Sequence, residues 1–455
     1  MALKEKVYLE SLGCPKNLVD SEVIAGYLQQ GGFALTTRRA EAAVIIVNTC
    51  AFITAAVQEA VDTISSLLRL KENGSCRRLV VAGCLPQRYG TSFFTDRPDL
   101  RGVDLLIGPS DLHRIAHLLR ELTAPDSRCA FSQALPRTAL PGRAAPRMRA
   151  TPSHTAYLKI AEGCSHRCAF CTIPAIKGPY RSRSPRSIVS EAKLLAAQGV
   201  KEINLIAQDT TFYGSDLGTG ADPASLLRKL CRIEGLTWIR LLYCHPDHFS
   251  KDLIKAVGDE EKVCSYIDLP LQHISDAILQ KMRRRKKSAG IRKLIHEMRT
   301  SIPGLRLRTT VMVGFPGETE KDFDLLLDFI REVEFEHLGA FRYSDEEGTR
   351  AYNMGGKVPA AVVEERYHRV MSAQSSISLK KNRALIGSQQ AVLLEGVNGR
   401  RGSAATGRTF FQAPEIDGIV YLTRNRAQPG ELVEAIITGA SEYDLFAEPL
   451  TYRKV

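Results

Sequence analysis

The chain has 455 residues, 44% of them apolar, and a formal net charge of +12. Its length exceeds what one hydrophobic core serves, so two or three folded domains are expected, and its composition excludes both a disordered chain and a transmembrane-length apolar run. The start, MALKEKVYLESLG, lacks a long apolar leader and reads as cytoplasmic, where eleven cysteines suit metal binding or catalysis better than disulfides.

Strand and helix alternate through residues 1–125. KVYLESL reads as a strand, LVDSEVIAGYLQQGG as a helix closed by glycine, and AVIIVN as a second strand followed by a helix from about Phe52 to Leu70. RLVVAG and VDLLIG are the third and fourth strands, and a helix over 110–122 closes the unit. Short apolar strands separated by helices predict an α/β domain with a parallel sheet covered on both faces. Residues 126–153, rich in Pro, Arg, Ala and Ser and carrying Arg143, Arg147 and Arg149, read as a linker. Within a domain expected over 154–383 the alternation resumes from about Thr155 to Ser344, with strands AYLKIA, EINLIA, WIRLLY, SYIDLP, LRTTVMVG and HLGAFRY and helices over 187–198, 289–300 and 319–333. Six such repeats are too few for a closed eight-stranded barrel, so a partial (β/α)6 barrel is expected, with a doubly wound sheet as the alternative. A long amphipathic helix from about Ala360 to Asn382 precedes residues 384–455. There QQAVLLEGV, GIVYLT and ELVEAIITGA predict a small all-β barrel.

Cys164, Cys168 and Cys171 lie in GCSHRCAFC, a C-x3-C-x2-C spacing just beyond a predicted strand. Soft thiolates suit iron–sulfur or zinc, and three of them leave one corner of a 4Fe–4S cube open to another ligand. Zinc would want a fourth protein ligand, which His166 inside the loop offers; the spacing is not the paired C-x2-C zinc pattern, and iron–sulfur is favoured. Phe170 shields a bound group or simply packs the loop, and His166 receives no catalytic role. Cys14, Cys50 and Cys84 are 36 and 34 residues apart, yet each follows a different predicted strand. Parallel strands carry their C-terminal ends to one edge, so a three-cysteine metal site is favoured over coincidental packing. Gly13 and Gly83 allow sharp turns before two of these cysteines, and Asn17 and Asn48 either donate to sulfides or cap turns. Cys76, Cys129, Cys231, Cys244 and Cys264 read as small core residues.

Over nearly the whole chain these motifs resemble the radical S-adenosylmethionine methylthiotransferases, which join an N-terminal three-cysteine domain, a radical-SAM domain and a TRAM barrel. GCPKNLVDSE at 13–22, AEGCSHRCAFCTIP at 161–174, AQDTTFYG at 207–214 and the closing YDLFAE are similar to the branch that modifies a ribosomal protein. The transfer-RNA branch usually reads GCQMN and GQNVNSY at the first and third of these.

The resemblance implies two 4Fe–4S clusters. One, on Cys164, Cys168 and Cys171, chelates S-adenosylmethionine; the auxiliary one, on Cys14, Cys50 and Cys84, delivers sulfur. It further implies methylthiolation of the β-carbon of an aspartate in small-subunit ribosomal protein twelve, with a reducing electron-donor protein and a sulfur source. Arg183 is then expected to hold the cofactor carboxylate, Gln208 and Asp209 to orient cofactor or substrate, and Gly314 to Glu318 (GFPGE) to line the cofactor pocket. The plainer readings are a basic loop, a capped turn and a tight turn; no Walker loop is present.

Lys281 to Lys287 hold six basic residues in seven, read as a solubilising surface ahead of a ribosomal RNA or donor contact. From Ala384 onward seven basic and eight acidic residues make a poor phosphate-binding surface, although Arg400, Arg401, Arg424 and Arg426 form local basic patches. A monomer is expected. The alternatives are methylthiolation of an adenosine in tRNA and a non-catalytic, zinc-stabilised RNA- or ribosome-binding protein.

Overall fold

The computed structural model describes residues 5–122, 130–132, 145–397, 404–423 and 427–450. Of the residues singled out above, Cys129, Arg143, Arg400, Arg401, Arg424 and Arg426 lie outside the described residues. The chain forms two compact units that do not follow sequence order. Unit 1 comprises 1–150, 159–188 and 344–352; unit 2 comprises 151–158, 189–343 and 353–455.

Unit 1 is built on a six-stranded parallel sheet in the order β2-β1-β3-β4-β5-β6. Its strands are β1 (Lys6–Ser11), β2 (Ala34–Leu35), β3 (Val44–Thr49), β4 (Arg78–Gly83), β5 (Leu105–Ile107) and β6 (Ala130–Ser132). Successive residues of a strand face opposite sides. Ile45 and Val47 therefore enter one apolar cluster, with Val57, Val61 and Ile64 of helix α2 (Thr54–Asn73). Val44 and Ile46 enter the other, with Ile24 and Leu28 of helix α1 (Pro15–Gln30). Burial on both faces is why these strands read as unbroken apolar runs.

The stretch read as a linker contributes β6, which pairs in parallel with β5. Its end lies on α1: a Cβ at Gly26 would come within 2.5 Å of the Pro146 carbonyl carbon. A two-stranded hairpin, β8 (Ala161–Glu162) with β9 (Arg181–Ser182), also belongs to unit 1.

Unit 2 carries an open sheet of β7 (Thr155–Lys159, its last residue in unit 1), β10 (Glu202–Ile206), β11 (Trp238–Leu241), β12 (Val263–Asp268), β13 (Arg306–Val313) and β14 (His337–Arg342). The strands neighbour one another strictly in sequence, β14-β13-β12-β11-β10-β7. This is the partial barrel rather than the doubly wound alternative, whose strand order would reverse. Helices Pro223–Cys231 and Glu320–Val333 both start at capping boxes, Asp222 with Ser225 and Thr319 with Asp322.

Helix Ala360–Arg383 leads to a closed barrel of β15 (Gln389–Val397), β16 (Ala405–Arg408), β17 (Val420–Leu422), β18 (Leu432–Ala440) and β19 (Leu445–Pro449), in the order β15-β16-β17-β19-β18. Buried charge docks this barrel on the larger sheet. Glu202 accepts from Arg240 at 2.9 Å and Arg408 at 2.6 Å, and Asp417 accepts from Tyr266 at 2.7 Å. Among the described residues, no helix is long and apolar enough to cross a membrane.

Candidate functional site

Both cysteine triplets fall in unit 1. The scattered one is gathered by sheet order. The chain runs from β1 out to β2 and returns to β3 on the other side of β1, so the loops after β1 and β3 flank the switch point where α/β sheets bind ligands. Cys14 and Cys50 sit in those two loops, and Cys84 follows β4, the neighbour of β3.

Cys14 is the N-cap of α1, and Cys84 opens the short helix α3 (Cys84–Tyr89). Glycine makes the approach possible. Gly13 has φ +90, and a Cβ there would lie 2.5 Å from Cys50 Cβ and 3.2 Å from its Sγ. Gly83 has φ +94, and its Cβ would meet Asn48 Oδ1 at 2.4 Å. Asn17 and Asn48 tie the turns together: Asn17 Nδ2 donates to the Leu12 carbonyl at 2.7 Å, and Asn48 Nδ2 donates at 2.9 Å to the Asn17 carbonyl and to Ser21 Oγ. Their amide hydrogens serve the loops, which favours the turn-holding role over donation to sulfides.

Burial pushes the Cys84 thiol up to about 12, opposed by the Lys177 charge and reinforced by Cys50 and Cys14. Burial also raises Cys50, with Cys14 adding to the effect. With no metal these two thiols keep their protons, and a metal held there would have to displace them.

The compact triplet lies on a loop closed on itself. Gly163 has φ +79, and a Cβ there would stand 2.1 Å from the Pro179 carbonyl oxygen. Cys164 N donates to the Gly178 carbonyl at 3.0 Å, and Cys171 N donates to Cys168 at 3.2 Å. Thr172 Oγ1 donates to the Phe52 carbonyl at 3.1 Å, and Ala351 N donates to Ala169 at 2.8 Å. Cys164 is buried; Cys168, Cys171, Phe170 and His166 are half-buried. None of the ten described cysteines forms a disulfide. Arg183 is buried, with its terminal nitrogens on the Lys159 carbonyl at 2.7 Å and Ser187 Oγ at 2.8 Å.

The other residues expected near the cofactor belong to unit 2. Gln208 is half-buried after β10. Asp209 is buried and caps the following turn, accepting from Thr211 N at 2.9 Å, while its other oxygen lies 2.8 Å from His248 Nδ1. Its ligand-type atoms and those of His245 and His248 lie within 4.8 Å of one another.

Gly314 has φ +80, and its N–H donates to Glu318 Oε2 at 2.9 Å; Glu318 Oε1 accepts from Arg366 at 2.8 Å. Burial outweighs Arg366 and raises the Glu318 carboxyl above its usual range. His273 is fully buried, with Nε2 3.7 Å from Glu318 Oε2.

Sequence reasoning missed a buried quartet beside the triplets. Lys159 bonds Asp20 and, at 2.7 Å, Glu162; Lys177 lies 3.2 Å from Asp20 and 3.6 Å from Glu162. The available signal was charge out of place: Asp20 inside the apolar pattern of α1, and Lys177 closing the apolar turn IPAIK. His245 and His248, in YCHPDHF after β11, were also passed over.

Three family descriptions match the chain: the Uncharacterized protein family UPF0004 over residues 6–108, the Radical SAM superfamily over 158–330 and the TRAM domain over 386–450. A protein of Geotalea uraniireducens named ribosomal protein uS12 methylthiotransferase RimO is 48% identical, covering 98% of this chain and 99% of its own. Proteins of the same name from Geobacter sulfurreducens and Myxococcus xanthus are 46% and 43% identical, covering 98% and 97% of this chain and 98% and 91% of their own. Among solved structures, the radical S-adenosylmethionine methyltransferase TsrM from Kitasatospora setae, with tryptophan and a SAM analog bound, superposes with TM-score 0.56 at 15% identity. That match covers 87% of this chain and 79% of TsrM, a likeness of fold.

Proposed function

Because the chain belongs to the ribosomal protein uS12 methylthiotransferase RimO family, it is a radical-SAM methylthiotransferase, and we propose that it methylthiolates the β-carbon of an aspartate in uS12 using a cluster on each cysteine triplet. The observation that carries the two-cluster reading is the presence in one compact unit of two sets of three cysteines, none of them in a disulfide. Each set is mounted on turns that only glycine fits, at Gly13, Gly83 and Gly163.

Three soft donors per set suit a 4Fe–4S cluster with one iron left for another ligand. Cys164, Cys168 and Cys171 would hold the one that takes S-adenosylmethionine; Cys14, Cys50 and Cys84 would hold the auxiliary one. When bound, such clusters supply one-electron cleavage of S-adenosylmethionine and a sulfur for transfer, chemistry that acid–base side chains do not perform.

The chain's own residues fix the loops around that chemistry. Glu318 pins the backbone of Gly314, Asp209 pins the turn after β10, and Arg183 pins the backbone of Lys159. The GCPKNLVDSE and AQDTTFYG motifs and the near-neutral terminal barrel favour the protein target over tRNA. Membership of an enzyme family sets aside the non-catalytic zinc-stabilised alternative.

The test incubates the anaerobically reconstituted chain with reductant and S-adenosylmethionine, once with uS12 and once with tRNA. Peptide mass spectrometry should place one methylthio group on an aspartate of uS12, and iron analysis should give about eight irons per chain. Modification of tRNA alone overturns the substrate; about four irons per chain overturns the second cluster.

A further inference from the structure

Lys177 ends helix Ile173–Lys177, six residues beyond Cys171. The preceding Ile176 is buried in the same apolar cluster as Cys84 and Leu85, so this short helix packs against the start of α3. Lys177 is 5% exposed, and its ammonium is held between Asp20 and Glu162. Asp20 stands on α1, which Cys14 caps, and Lys159 bonds the same two acids. Two cations and two anions are therefore buried within reach of the scattered triplet. Stability alone is a weak reason for them, since desolvation largely offsets the attraction within buried ion pairs.

We propose that Lys177 is a positioning residue for the site of Cys14, Cys50 and Cys84, its fixed positive charge beside Cys84 raising the reduction potential of the cluster bound there. The proposal rests on the two-cluster reading. Reduction adds negative charge to a site that already gathers three thiolates, and a buried cation within the same apolar surroundings favours the reduced form. Asp20, beside the same site, acts in the opposite sense.

The experiment uses full-length chain with Cys164, Cys168 and Cys171 replaced by alanine, so that the auxiliary cluster alone gives a paramagnetic resonance signal during a redox titration. In that background Lys177→Met should lower the reduced-to-oxidised ratio about tenfold at a fixed poise, equivalent to about 59 mV for a one-electron couple. Lys177→Arg should stay near the parent, and Asp20→Asn should move the ratio upward.

The sign is the discriminating readout. A merely structural quartet would be disturbed alike by Lys177→Met and Asp20→Asn and would shift both the same way. Equal shifts, or none, with about four irons retained per chain overturn the role of Lys177. A parent background that binds no iron instead overturns the two-cluster reading.

Discussion

At Gly163 a single hydrogen atom decides whether the loop carrying the compact cysteine triplet can close. Its φ is +79, and a methyl there would stand 2.1 Å from one carbonyl oxygen and 2.7 Å from another, both backbone atoms of Gly178 and Pro179. No side-chain rotation relieves that clash. Gly163→Ala should therefore cost at least the roughly 1–2 kcal/mol of left-handed backbone and open the loop before Cys164. Reconstituted protein should keep the iron on the scattered triplet and lose that on the compact one, so iron and sulfide analysis should find about half the parent content.

Cys164, Cys168 and Cys171 stood out as a candidate set because their spacing is local. Cys14, Cys50 and Cys84 stood out as a second candidate set only through the parallel-sheet argument. Lys177 did not, because its partners Asp20 and Glu162 come from segments that spacing does not connect.

His273 makes a second prediction at this scale. Burial lowers its pKa from 6.5 to about 4, so the folded protein holds it neutral. A folded-state pKa below the unfolded one means that stability is fully present above about 6.5 and drains away as pH falls toward 4. Urea midpoints of the parent should drop across that window, and those of His273→Leu should drop less.

Helix α1 shows what one element can carry. Its N-cap is Cys14, Asn17 bonds back to the β1 loop, Asp20 faces two lysines, and Glu22 is buried against Arg147 at 2.5 Å. Glu22 also accepts from the backbone of Ala150 at 2.7 Å. The acidic and amide residues of GCPKNLVDSE are thus bonding partners for three other segments, which is why this helix shows almost no amphipathic pattern while burying most of its length.

Arg147→Ala would remove a guanidinium that pairs with the buried Glu22 carboxylate. The expected loss is about 3–5 kcal/mol, measured by urea unfolding, with Arg147→Lys retaining part of it because the charge survives without the fork geometry. The segment holding Arg147 looked like a linker because a two-sided fit to α1 leaves no periodicity of its own. β6, β16 and β19 were missed for a related reason: at three to five residues they are too short for an alternating pattern to show.

The whole chain crosses between its two units repeatedly, so cooperativity is best probed inside one of them. Unit 2 contains the only tryptophan, Trp238 on β11, paired in register with Glu202 on β10. Glu202 is the buried anion between Arg240 and Arg408, the latter from β16 of the small barrel. These arginines hold its carboxyl at about 2 against the raising effect of burial.

A carboxyl whose folded pKa lies below its unfolded value contributes stability that is complete above about 4.5 and is lost as pH falls toward 2. The gap is on the order of 3 kcal/mol at neutral pH. Asp417, also lowered and also tying the barrel to the sheet, titrates in the same sense, so the difference between parent and variant is the informative quantity. Glu202→Gln leaves two buried guanidinium groups facing a neutral amide. Followed by Trp238 fluorescence in urea, the variant should be less stable than the parent at pH 7, and the two should converge as pH falls from 5 to 2.5. A constant offset between them across that range would mean that the docking charge of Glu202 is already neutralised in the folded protein.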